Sequence, residues 1–119
     1  MEIYKEFTFE AAHFLPNVPE GHKCHRLHGH SYRVKITVHG PIQADAGWIM
    51  DFGDIKDAFD PILDQLDHRF LNEIEGLENP TSENIARWFW ARLKPFLPQL
   101  LRIDISETCT SGSSYAGEE

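Results

Sequence analysis

The chain has 119 residues, 41% hydrophobic and 25% charged, with a formal net charge of −8. That is the length of one compact domain, and residues 1–119 are expected to form a single one. The acidic balance argues against general nucleic-acid binding, no apolar run reaches the roughly 18–20 residues that cross a bilayer, and the N-terminal MEIYKEFTFE lacks the apolar core of a signal peptide.

A cytoplasmic protein is the expectation that follows. Residues 2–12 alternate as a strand, with Ile3, Phe7, Phe9 and Ala11 on one face. Residues 14–27 carry Pro16, Pro19 and Gly21 and read as a long loop, a feature more often functional than not in a compact domain. Residues 29–39 form a second strand that turns Tyr32, Val34, Ile36 and Val38 one way and Arg33, Lys35 and Thr37 the other. A turn region and the short apolar piece Trp48–Phe52 come next. Ile55, Ala58, Phe59, Ile62, Leu63 and Leu66 then recur at helical spacing. Asp51 or Asp54 is placed to cap that helix, and Pro61 should kink or split it. After the loop NEIEGLENP, Thr81 or Ser82 caps a second helix running to about Phe96, with Ile85, Phe89, Leu93 and Phe96 on one stripe. Residues 100–109 alternate again, and SSYAG suits a last short strand. The order β-β-α-α-β-β implies an α+β architecture, an antiparallel sheet covered by two helices.

The stretch GHKCHRLHGHSY, residues 21–32, holds four of the seven histidines and one of the two cysteines. Positions i and i+2 of a strand share a face, so His28 and His30 project together. His13 continues the parity of Phe9 and Ala11 at the end of the first strand. If the two strands pair, three imidazoles converge at one edge of the sheet, with Gly29 removing a side chain between two of them. Three neutral imidazoles suit zinc and leave a fourth position open for catalysis. The same spacing also permits a closed structural site with Cys24 as fourth ligand. In a reducing compartment Cys24 and Cys109 are expected as free thiols rather than a disulfide. His39 reads as a solvated strand end. His22 and His25 read as loop residues, and with Lys23 and Arg26 they form a local basic cluster able to meet a small anion.

Two further features carry chemistry. Glu107 continues the parity of Leu101, Ile103 and Ile105. A carboxylate there is either a strand end emerging into water or an acceptor for a ligand's paired N–H groups. Asp67 stands beside His68, and an aspartate can orient an imidazole and raise its basicity.

Taken in order, FTFEAAH, HKCHRLHGHSY, GWIMDF, LDHRFLN, ENPTSEN and ETCT span nearly the whole chain and resemble the 6-pyruvoyltetrahydropterin synthase family. The resemblance implies the tunnelling fold, with subunits assembled as trimeric barrels, two trimers stacked into a homohexamer, and active sites between subunits. It implies zinc held by His13, His28 and His30, Cys24 as a base off the metal, Asp67 and His68 as a proton relay, and Glu107 as the anchor of the pterin. Positive charge from Lys23, Arg26 or the metal would favour the Cys24 thiolate. Cys24 is followed by only three residues before the HGH triplet. This short spacing resembles the family's queuosine-pathway branch, which converts 7,8-dihydroneopterin triphosphate to 6-carboxy-5,6,7,8-tetrahydropterin, acetaldehyde and triphosphate. The alternatives are elimination of triphosphate to the 6-pyruvoyl product, an aldolase acting on the dephosphorylated pterin, or a non-enzymatic zinc or pterin-binding module. No G-x-G-x-x-G segment is present for a nicotinamide cofactor. The chain departs from the family at His25, where glycine is expected, and in its polar tail.

Overall fold

The computed structural model describes residues 1–118. Strand β1 (Glu2–His13) and strand β2 (His28–His39) pair antiparallel along their whole length. Their alternation is the expected one: Phe7, Phe9, Ala11 and His13 are buried from β1, and Tyr32, Val34, Ile36 and Val38 from β2. Helix α1 (Phe52–Leu63) is capped by Asp51, whose side chain accepts the Gly53 N–H. It runs through Pro61 as one helix and ends two residues later. A proline so near the C-terminal end removes a single backbone bond, and the expected split does not occur. Helix α2 (Ser82–Leu93) starts at Thr81, whose hydroxyl accepts the Asn84 N–H. It stops short of Phe96, which is exposed. Pro95 has no N–H to bond the Ala91 carbonyl, so the helix closes before it and Phe96 leaves the apolar stripe.

Three further strands complete the sheet: β3 (Arg69–Phe70), β4 (Leu100–Ser106) and β5 (Gly112–Tyr115), in the order β3-β1-β2-β4-β5. All neighbours are antiparallel except β3, which lies parallel to β1. The sheet is therefore mixed, where a purely antiparallel one was expected, because the chain leaves α1 directly onto the β1 edge. A register shift between Thr37 and Val38 pairs Val38 with Leu100, so Leu100 fills the core while Leu101 is only partly covered. Both helices pack on one face. Phe59 of α1 meets Phe7 and Phe89 with ring centres 4.8 and 5.0 Å apart, and Phe89 of α2 meets Phe9 at 5.8 Å. The other face of β1 and β2 presents Tyr4, Thr8, Glu10 and Arg33 outward. Gly112 is obligatory at the β4–β5 turn: a Cβ there would lie 2.2 Å from the Ile105 carbonyl oxygen. That close approach shapes the turn that carries Glu107.

Candidate active site

The β1–β2 register places His13 directly opposite His28 and Ala11 opposite His30. Three rings on one face thus meet at the open end of the strand pair. Their centres are 4.5 Å (His13–His28), 5.1 Å (His13–His30) and 4.9 Å (His28–His30) apart. One ring nitrogen from each lies within 4.8 Å of the others. Cys24 is not a member of this group. It sits half-buried in a single 3-10 turn, Lys23–His25, as a free thiol. Gly29 faces the other side of the sheet, and a Cβ there would meet only the Ala11 carbonyl at an ordinary 3.5 Å. Room between the ligands is therefore not what the glycine supplies.

The rings are oriented by backbone carbonyls. His13 Nδ1 lies 2.8 Å from the Pro80 oxygen, and His28 Nδ1 lies 2.7 Å from the Arg26 oxygen. A carbonyl can only accept, so each Nδ1 carries the proton and each Nε2 keeps its lone pair. The Tyr32 hydroxyl lies 3.1 and 3.3 Å from the two His13 nitrogens. Burial holds the His13 imidazolium down to a pKa of about 4, with the Pro80 bond opposing and the neighbouring histidines assisting. Burial, then His28, lowers His30 as well. These rings are neutral at neutral pH, the form that binds a metal ion. The donor set fits one: three imidazoles, two with fixed tautomers, at a sheet edge.

Glu107 follows the last residue of β4 and is half-buried. Burial raises its carboxyl pKa, Glu83 raises it further, and His28 opposes. Its charge also adds to the burial that pushes the Tyr32 phenol up. Glu107 is thus a partly desolvated acid beside the histidine cluster, not a fully solvated strand end. It lines a cavity of about 330 Å³ with Arg33, Ser31 and Cys109. Glu83 was not evident from sequence; Ser82 and Ser113 hydroxyls lie 2.9 and 3.4 Å from its carboxylate.

Asp67 and His68 dock on the β1 edge. The His68 N–H donates to the Glu10 oxygen at 2.6 Å, and Asp67 Oδ1 accepts the Glu10 N–H at 2.9 Å. That backbone bond, ahead of His68, holds the Asp67 carboxyl below the usual range. His68 and His30 both line a second cavity of about 620 Å³, with Arg69, Glu10 and Ser31 on its walls. A cavity of about 630 Å³ on the outer side of α2, between Trp88 and Trp90, contains none of these residues.

A family model described as 6-pyruvoyl tetrahydropterin synthase matches residues 2–118. The chain belongs to that family. As a 6-pyruvoyl tetrahydropterin synthase family member, it is 47% identical to the 6-carboxy-5,6,7,8-tetrahydropterin synthase of Synechocystis, over 95% of this chain and 91% of that protein. It is 38% identical to the dihydroneopterin monophosphate aldolase of Pyrococcus furiosus, over 81% of this chain and 76% of that protein. The solved structure of Caenorhabditis elegans 6-pyruvoyl tetrahydropterin synthase superposes with a TM-score of 0.91 at 27% identity, covering 99% of this chain and 96% of that one. The family's α+β tunnelling fold is the fold of this subunit. Among the described residues no helix is long and apolar enough to cross a membrane.

Proposed function

We propose that this protein is a zinc-dependent lyase that converts 7,8-dihydroneopterin triphosphate and water to 6-carboxy-5,6,7,8-tetrahydropterin, acetaldehyde and triphosphate. The observation that carries the reading is the convergence of His13, His28 and His30 beside Glu107, in a chain whose Cys24 precedes His28 by a short turn. The likeness to the Synechocystis enzyme supports the carboxy product over the pyruvoyl one.

In this reading His13, His28 and His30 hold the zinc. When bound, the ion supplies Lewis-acid polarisation of the substrate's side-chain hydroxyls. Glu107 accepts the paired N–H groups of the pterin edge, which fixes the ring and so the register of the side chain. Cys24 as thiolate takes a proton from the side chain, and His68, steered by Asp67, moves a proton at the other end of the site. The oxidation of the side-chain carbon and the reduction of the dihydropterin ring are internal to one molecule. No external redox cofactor enters the balance. Loss of triphosphate and cleavage of the carbon–carbon bond then release the two small products.

The chain forms one tunnelling-fold domain, works in 7-deazaguanine (queuosine) biosynthesis, and resides in the cytoplasm. Its subunits assemble as trimers stacked into a hexamer. Exposed Tyr4, Leu27, Trp48 and Phe52 offer apolar surface for such contacts. Nucleic acid and membrane are not partners. Mass analysis of the products from dihydroneopterin triphosphate tests the reading.

A further inference from the structure

The polar backbone groups of Cys24 are both bonded, and the two bonds come from different places. The Leu15 N–H donates to the Cys24 carbonyl at 2.8 Å, which ties the turn to the chain just beyond β1. The Cys24 N–H donates to Nδ1 of His22 at 3.0 Å. His22 is the N-cap of the 3-10 turn, with extended backbone angles. Its own N–H donates to the Pro19 oxygen at 2.8 Å, and its oxygen accepts the His25 N–H at 3.0 Å. The imidazole therefore sits on a fixed backbone and presents a lone pair to the thiol-bearing residue. A histidine in this role does what aspartate, asparagine or serine ordinarily does at a cap.

We propose that His22 is a positioning residue, which acts through its Nδ1 lone pair on the Cys24 amide to hold the turn that carries the thiol in place. The assignment rests on Cys24 acting as the base. The Leu15 bond anchors one side of Cys24 to the strand that carries His13, and the His28 ring bonds the Arg26 carbonyl two residues after Cys24. With His22 holding the other side, the segment between the base and the metal-cluster residues has its backbone fixed at both ends. An exposed loop without the cap would let the thiol drift, and an ångström of misplacement of a reacting group can lower a rate about a hundredfold.

The test compares His22→Ala with His22→Asn, whose carboxamide oxygen restores an acceptor at the cap, both as metal-loaded protein. The first readout is alkylation of Cys24 by iodoacetamide, followed by peptide mass, with exposed Cys109 in the same sample as the reference. Losing the cap should speed Cys24 alkylation relative to Cys109 by about fivefold. His22→Asn should return it close to the wild-type value. The second readout is turnover: His22→Ala should lower kcat about tenfold with KM and metal content unchanged, and His22→Asn should recover most of it. Unchanged Cys24 reactivity in His22→Ala overturns the assignment, as does an asparagine variant that behaves like alanine. A rise in KM with kcat preserved would place the imidazole on the substrate and overturn it too. Alkylation needs no substrate, so the expected reactivity pattern in a wild-type protein that forms no 6-carboxytetrahydropterin would sustain the positioning role and reject the proposed reaction.

Discussion

The Asp67 carboxylate lies 3.0 Å from Nδ1 of His68, its immediate neighbour in sequence. Adjacent side chains rarely meet in extended or helical backbone. Here they do because His68 takes the left-handed conformation, with φ at +61°. The Glu10 backbone holds both residues through two hydrogen bonds, which offsets the strain. A left-handed residue with a Cβ costs about 1–2 kcal/mol that glycine does not. We therefore expect His68→Gly to be more stable than His68→Ala by about 1 kcal/mol, read by urea denaturation. Equal stability would show that the conformation carries no strain. Both variants should lose turnover.

His13 makes the metal-free protein acid-sensitive in a defined window. Its folded pKa of about 4 lies below the ordinary imidazole value of 6.5. Between these values the unfolded chain binds a proton that the folded chain does not, so stability rises with pH there. The contribution is complete above pH 6.5 and is lost as the pH falls toward 4. Holding the ring neutral over that span corresponds to about 3 kcal/mol. Thermal melts of metal-free wild type from pH 4 to 7 should show this slope, and His13→Asn should flatten it.

Metal content separates the two sites of cysteine and histidine chemistry. Cys24→Ala should retain near-stoichiometric zinc while turnover collapses, because its thiol lies outside the histidine group. His28→Ala should lose both. Loss of zinc from the cysteine variant, measured by elemental analysis, would favour a closed four-ligand site.

Glu107→Gln replaces an acceptor with a group that can donate toward the ligand's own N–H. A charged hydrogen-bond pair broken in this way costs on the order of 2–4 kcal/mol, about 30- to 1,000-fold in affinity. Titration with dihydroneopterin measures it. A change below about threefold would return Glu107 to a structural role.

Strand parity made much of this legible. Period-two alternation fixed which faces of residues 2–12 and 29–39 turn inward, and the same parity joined His13 to His28 and His30. What parity leaves open is everything that depends on distant backbone. The carbonyl that orients His13 belongs to Pro80, 67 residues away. The two-residue β3 is too short to leave a periodic signal, and the shift that admits Leu100 to the core is an irregularity between Thr37 and Val38. The Asp67–His68 contact depends on one backbone angle that the pair of residue types does not specify. His22 reads as one loop histidine among several, because its function depends on a backbone N–H and not on a side-chain pattern.

The product formed from dihydroneopterin triphosphate decides between the carboxy-forming and pyruvoyl-forming reactions. The zinc-loaded protein is incubated anaerobically with that substrate, acetaldehyde is trapped as its hydrazone, and pterins are identified by mass. 6-Carboxytetrahydropterin, acetaldehyde and triphosphate should form in equal amounts, with none formed by Cys24→Ala. A dominant 6-pyruvoyl product with little acetaldehyde would contradict it, and so would cleavage confined to the dephosphorylated or monophosphorylated pterin.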